Sequence, residues 1–178
     1  MQRITVIGTP GVGKTTLAQQ LATALQCPFV ELDALFWGPH WTPETPERFR
    51  DKVTQALAGD RWAVGGNYSV ARDIIWGRSD TVIWLDYPLP LTLWRLYRRT
   101  MKRILTREEL WSGNRETWRG AFFDKDSLFL FAIKTHAKRR RNFPRELAQP
   151  EYAHVQTLRF RWPSETQQWL SQFLPSEK

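Results

Sequence analysis

Arg3-Ile4-Thr5-Val6-Ile7-Gly8-Thr9-Pro10-Gly11-Val12-Gly13-Lys14-Thr15-Thr16-Leu17 opens on an apolar run, passes through three glycines in six residues and continues into a helical pattern. Arg3 to Ile7 reads as a short buried strand. Leu17, Leu21, Ala22 and Leu25 recur at helical spacing. Between them, Gly8 to Thr15 fits G-x-x-x-x-G-K-[ST], the P-loop pattern. Glycines let the backbone curl until successive N–H groups point inward at phosphate oxygens. The following helix starts at the same place, so its positive end faces the same anion. Lys14 can reach the β- and γ-phosphates, the Thr15 hydroxyl can ligate Mg²⁺, and Thr16 can add a phosphate hydrogen bond. Residues 8–16 are therefore expected to bind a nucleoside triphosphate, ATP with Mg²⁺. The competing reading is a glycine turn capping an ordinary helix. A strand before the motif and a helix after it favour the phosphate loop, which by itself leaves the reaction open.

Outward from the motif, short apolar strands alternate with helices. Pro28 to Leu32 reads as a second strand ending at Asp33, Trp62 to Val64 as a third ending in Gly65-Gly66, Thr81 to Leu85 as a fourth, and Val155 to Phe160 as a fifth. Helical patterns cover residues 47–57, 91–105, 127–141 and 164–174, with Ser164 as an N-cap of the last. Residues 34–46 and 106–125 read as loops, and Pro175 to Lys178 as a frayed end. This alternation predicts an α/β domain with a mainly parallel sheet.

The 178 residues suffice for one domain, 1–178. A single cysteine, Cys27, excludes an internal disulfide and a cysteine-based zinc site. No apolar run reaches membrane-spanning length and no signal peptide is evident, so no membrane partner and a cytoplasmic location are expected. Ten Trp and ten Phe point to an aromatic core or pocket. The net charge of +8 is uneven. Residues 1–94 hold eight Lys or Arg against nine Asp or Glu, so the whole excess belongs to residues 95–178. Phosphate-rich ligands or nucleic acid would explain it, as would a solvated basic surface.

The P-loop, Asp33 followed by Leu35-Phe36-Trp37 and Trp41, the Gly66-Asn67-Tyr68 turn and Leu85-Asp86-Tyr87-Pro88 together resemble the adenylate kinase and shikimate kinase branch of P-loop kinases. They are most similar to the bacterial group called "DNA topology modulation protein". The resemblance implies a three-layer fold around a five-stranded parallel sheet in order 2-3-1-4-5. It also implies an acceptor-binding segment at 34–60 and a lid at 106–125. One departure stands out. Related members place Asp where this chain has Gly65, and that Asp resembles the carboxylate that helps hold Mg²⁺ in many P-loop enzymes. Either Mg²⁺ relies here on Thr15, phosphates and waters with Asp33 or Asp86 nearby, or catalysis is impaired.

Asp33, at a strand's carboxyl end, can accept the acceptor's hydroxyl proton or orient a metal-bound water; the competing role is capping a short helix at 34–37. Trp37, with Phe36 and Trp41, can wall an acceptor pocket or simply pack the loop. Asn67, Tyr68 and Arg72 follow the third strand, where Arg72 can fork onto an anionic acceptor group or form a surface ion pair. Arg95, Arg99 and Arg103 share one helix face. In the resembled kinases, arginines here and in the lid neutralise the transferring phosphoryl group, which nominates Arg99, Arg103 and the lid residue Arg115, with Arg107, Arg119 and the run Lys138 to Arg141 behind them. His40, His136 and His154 lack metal-site spacing and read as structural. Asp86 can sit near the metal; the competing roles are capping the Leu91 helix or a buried hydrogen bond with the P-loop backbone.

Two functions follow. The first is an ATP-dependent kinase of a small acceptor: a nucleotide, a nucleoside or a hydroxy compound. The second is a nucleotide-dependent nucleic-acid-binding protein with little turnover. Cations converging on the P-loop mouth would favour the first, a continuous outer stripe the second. A monomer and a homodimer both remain open.

Overall fold

Alternation along the strands supplies both faces of the sheet with apolar side chains. In the computed structural model, which describes residues 1–124 and 127–173, β1 (Arg3–Gly8), β3 (Trp62–Gly65) and β4 (Thr81–Leu85) form the centre. Ile4, Val6, Ala63, Ile83 and Leu85 point to one face, where they meet Leu17 and Leu21 of α1 (Lys14–Ala24) and Leu170 of α7 (Pro163–Leu170). Ile7, Trp62, Val64, Val82 and Trp84 point to the other. There they meet Phe49 and Val53 of α3 (Pro46–Ala56), Ile75 and Trp76 of α4 (Arg72–Arg78) and Phe143 of α6 (Leu128–Leu147). Strands covered on both faces are the usual condition of parallel sheets.

With β2 (Phe29–Glu31) and β5 (Gln156–Phe160) at the edges, the order is β2-β3-β1-β4-β5 and every pairing is parallel, as expected. The chain leaves β1 towards one edge and later returns to fill the other side. The loop after β1 therefore opens into the crevice where ligands bind in such sheets. In the last row of the register, Glu31 pairs with Gly65, and Gly65 with Val6.

Several boundaries differ from the sequence reading. β2 stops at Glu31, and Leu32–Phe36 form α2, so Asp33 lies in a helical first turn. α4 was not anticipated. α5 (Leu89–Thr106) and α6 run longer than expected, α6 continuing through the exposed Pro144 to Leu147. α7 starts at Pro163 with Ser164 inside it. The start is capped instead by the Glu165 carboxylate, which accepts from the backbone N–H groups of Arg161 (2.7 Å) and Trp162 (3.3 Å). The expected helix end at Leu174, the tail Pro175 to Lys178 and the far end of the 106–125 segment lie outside the described residues.

Two turns project over the sheet's carboxyl end. Residues 37–43 close with a bridge between Trp37 and Pro43, and residues 109–115 with one between Glu109 and Arg115. Gly38 N–H donates to the Thr42 carbonyl (2.8 Å) in the first, and Leu110 N–H to the Asn114 carbonyl (2.7 Å) in the second. Each carries two successive left-handed residues, His40 and Trp41 (φ 57° and 55°) and Ser112 and Gly113 (φ 57° and 77°). The two turns thus share one backbone shape, and they face each other.

Candidate active site

The loop from Gly8 to Gly13 is fastened from three sides. Gly11, at φ 85°, lies so close to α5 that a Cβ there would come within 2.7 Å of Leu96 Cβ. Asn67 brackets Gly8: its Oδ1 accepts from Gly8 N–H (3.1 Å), and its Nδ2 donates to the Gly8 carbonyl. Thr9 and His136, both buried, share a hydrogen bond of 3.2 Å that ties the loop to α6. Arg95 Nη1 donates to the Val12 carbonyl (3.3 Å). Such bracing sets loop geometry in advance, as a preorganised anion site requires.

Lys14 bends back, its ammonium donating to the Thr9 carbonyl at 3.2 Å. Burial lowers its pKa to about 7. Arg139 and Arg99 push the same way, while Asp33 opposes them. Arg99 is lowered by burial and by Arg103, and Arg139 is lowered to about 10 by burial and by Arg72. The buried Nε of Arg99 and Nη1 of Arg139 have no hydrogen-bond partner among the described residues. Three crowded cations, the two arginines each with an unsatisfied donor, form a site that an anion would relieve.

Thr15 Oγ1 donates to Glu31 Oε1 at 3.0 Å. A hydroxyl that gives its proton to a carboxylate keeps its lone pairs free for a cation. Glu31 and Gly65 are neighbours in register, so their Cβ directions lie on the same face, and a Cβ on Gly65 would point at Thr15 Cα (3.4 Å). The longer glutamate therefore reaches, from one strand over, the place that a strand-three aspartate would fill. Sequence reasoning missed Glu31. The available signal was a charged side chain inside the apolar Phe29-Val30-Glu31-Leu32 run, two residues before Asp33. Asp86 is not near this position in any free form. It is 2% exposed and holds Arg159 (2.5 Å) and Arg140 (2.9 Å), so neither helix capping nor the metal occupies it. Thr15 and Glu31 fit Mg²⁺, which keeps several waters and leans on substrate phosphates rather than on an all-protein cage. No cluster of three or more His, Cys, Asp or Glu side chains that could hold a metal occurs among the described residues.

Asp33 accepts a hydrogen bond from the Tyr68 hydroxyl, whose pKa is raised by burial and by Asp33 itself. Phe36, Trp37 and Trp41 stack edge-on in series, and Trp111 joins them from the second turn with its ring 6.3 Å from that of Trp41. All of these, with Lys14, Thr15, Thr16, Arg95, Arg99, Arg103, Arg115 and Arg139, line one cleft of about 1270 Å³. A pocket for one small ligand is ~300–1,000 Å³, so this cleft has room for two. Within it Arg103 is paired with Glu116 (2.9 Å) and Glu108 (3.4 Å), and the more exposed Arg115 with Glu109 (3.5 Å). Arg72 lies outside that lining, ion-paired with Glu146 at 2.8 Å and stacked over Trp76.

The family model described as "ATPase family associated with various cellular activities (AAA)" matches residues 4–86, the stretch from β1 to the end of β4. No curated protein matches the chain in sequence. Among solved structures, a gluconokinase from Sinorhizobium meliloti 1021 superposes with a TM-score of 0.55 at 17% identity, covering 97% of this chain and 89% of that one. A shikimate kinase from Acinetobacter baumannii, in complex with shikimate, gives 0.52 at 20% identity, covering 99% and 95%. The fold is that of the P-loop kinases. Both structural alignments span nearly the whole chain, whereas the family model stops before α5.

Proposed function

We propose that the chain is an ATP- and Mg²⁺-dependent kinase that phosphorylates a hydroxyl group of a small molecule. One observation carries this reading: Lys14, Arg99 and Arg139 converge, the two arginines each with an unpartnered buried donor, on a cleft that also holds Asp33 and the Thr15–Glu31 pair. In phosphoryl transfer the protein contributes mainly positioning and electrostatics. The acceptor oxygen attacks the γ-phosphorus while its proton passes to Asp33, and the bond to the ADP oxygen breaks. Lys14, Arg99 and Arg139 stabilise charge on the phosphoryl oxygens. Mg²⁺, held by Thr15 and Glu31 beside the phosphates, would neutralise charge on the β- and γ-oxygens. Tyr68 orients Asp33, and the Trp37 and Trp41 rings wall the acceptor side. Asn67 serves by holding Gly8, and Arg72 by tying α4 to α6, rather than by touching the acceptor. Residues 106–124 act as the lid.

The likeness to a gluconokinase and a shikimate kinase supports the same class. Convergence of cations on the P-loop mouth favours it over nucleic-acid binding. An ADP-release assay across nucleosides and hydroxy acids, with nucleoside monophosphates as the phosphate-acceptor alternative and Lys14→Ala as control, tests it. At least one hydroxyl-bearing class should release ADP in proportion to acceptor phosphorylated, and turnover with nucleoside monophosphates alone would overturn the hydroxyl acceptor. ATP hydrolysis that no acceptor stimulates would overturn the kinase reading.

A further inference from the structure

Glu31 receives a second hydrogen bond that the P-loop does not supply. Its Oε2 accepts from Trp111 Nε1 at 2.9 Å, across 80 residues of sequence. A glutamate carboxylate stands at the end of three rotatable bonds. With Thr15 on one oxygen and Trp111 on the other, its position is set by two donors from two separate parts of the molecule. Trp111 is in turn placed by the facing turns. Asn114, 5% exposed, accepts from Trp41 N–H (2.8 Å) and donates to the carbonyls of Gly38 (2.8 Å) and Trp111 (2.8 Å). Ser112 Oγ donates to the Trp37 carbonyl (2.9 Å). The indole N–H therefore reaches Glu31 only when the 109–115 turn is seated on the 37–43 turn.

We infer that Trp111 is a positioning residue that makes the metal site dependent on closure of the 106–124 segment. Closed, the indole holds the Glu31 carboxylate facing Thr15; open, Glu31 keeps one donor and turns freely. Linkage makes the effect reciprocal: metal bound with nucleotide favours closure as much as closure favours the metal. This rests on the kinase reading above, in which Glu31 and Thr15 hold Mg²⁺.

The test titrates Mg²⁺ into the protein with the β,γ-imido analogue of ATP and follows the thermal shift, so no turnover is involved. Trp111→Phe keeps the ring and removes the N–H. Loss of an outer partner of a metal ligand typically costs ~10–100-fold in metal affinity, so the Mg²⁺ midpoint should rise about tenfold while metal-free nucleotide binding stays unchanged. Asn114→Ala retains the N–H but unseats the turn, and should move the midpoint the same way. The double variant should shift no further than the larger single one, because both act through one contact. An unchanged midpoint in Trp111→Phe, an equal loss of metal-free binding, or additive shifts in the double variant would each overturn the inference. If Trp111→Phe fails to fold, Asn114→Ala decides alone by the same midpoint. A wild-type protein that binds nucleotide equally with and without Mg²⁺ overturns the function proposed above and this inference with it. A wild-type response retained in full by the variants overturns the inference only.

Discussion

The two sides of the cleft are built by opposite means. The phosphate side is one contiguous stretch, Gly8 to Thr16, pressed into the core with Val12 1% exposed and Gly11 against α5. The cap side is two turns some 75 residues apart, joined by polar contacts: Asn114 to Trp41 and Gly38, Ser112 to Trp37, and the Trp41 indole to the Arg115 carbonyl (3.4 Å). Hydrogen bonds of this kind contribute ~0.5–1.5 kcal/mol each. Such a clasp can open on a working timescale, whereas the loop behind it cannot move without disturbing buried packing. The loop is thus suited to wait for phosphate and the cap to respond to it. Glu31 touches both.

The sharpest way to break this contrast is to remove the charge from the fixed side. Lys14→Met should abolish most of the thermal stabilisation by Mg²⁺·ATP, which for the wild type at a hundred times Kd is about 2.7 kcal/mol. The ligand-free variant should nonetheless be more stable than the wild type near neutral pH. The folded-state pKa of Lys14 is lowered from 10.5 to about 7, so the unfolded chain binds the extra proton between those values. Wild-type stability therefore rises with pH across that window, and the cost of burying the charge is full below pH 7. One pKa unit is about 1.4 kcal/mol. The variant's advantage should be on the order of 2 kcal/mol or more at pH 7 and vanish towards pH 10. Phosphate binding by the wild type at pH 8 should also take up a proton, visible as a buffer-dependent heat. A variant no more stable than the wild type at pH 6 would show that the ammonium is well solvated.

The same contrast explains what could be read from the chain. The P-loop is local: its glycines, lysine and threonine are adjacent, so strand, turn and helix follow from fifteen residues. The sheet was legible because apolar runs such as Thr81 to Leu85 alternate between two buried faces. α4 escaped because its seven residues are too few to show a helical period. Glu31 escaped because β2 ends one residue before its apolar run does, at Glu31 and not Leu32, so the sequence placed Asp33 at the strand's end. Asp86 was misread because its partners come from α6 and β5. Trp111 and Asn114 could not have been found at all, since neither has a local partner that differs from an ordinary loop.

A second, smaller perturbation acts at the joint between the two sides. Gly66 sits at φ 149°, and a Cβ there would lie 2.8 Å from Leu32 Cδ1 and 2.9 Å from Leu32 Cβ. Leu32 is fully buried, so it has nowhere to retreat. Gly66→Ala should destabilise by about 3 kcal/mol from overpacking and backbone strain together, lowering Tm by roughly 6–12 °C. Leu32 lies between Glu31 and Asp33, so whatever folds should also lose catalytic rate more than nucleotide affinity. A melting temperature within about 2 °C of the wild type would mean that this turn is far more yielding than its contacts imply.

Gly65, next to it, should respond quite differently. Its φ is not left-handed, and an added Cβ would meet only ordinary contacts, Thr15 Cα at 3.4 Å and the Lys14 carbonyl carbon and oxygen at 3.5 Å. Gly65→Asn should therefore fold normally and change nucleotide binding little. Gly65→Asp adds a carboxylate where Glu31 already reaches, and two like charges offset much of the added attraction for the metal. In the wild-type background the net change should be within about 0.5 kcal/mol, the range of a substitution that breaks no existing contact. The informative background is Glu31→Ala, in which Mg²⁺-dependent nucleotide binding should fall by at least tenfold. There Gly65→Asp should recover part of the loss and Gly65→Asn none, because only the former restores a carboxylate beside Thr15. The rescued protein should also lose its dependence on Trp111, since an aspartate on β3 lies one strand further from the indole. Rescue by neither substitution would place residue 65 outside the metal's reach, and rescue by both would trace the effect to volume rather than charge.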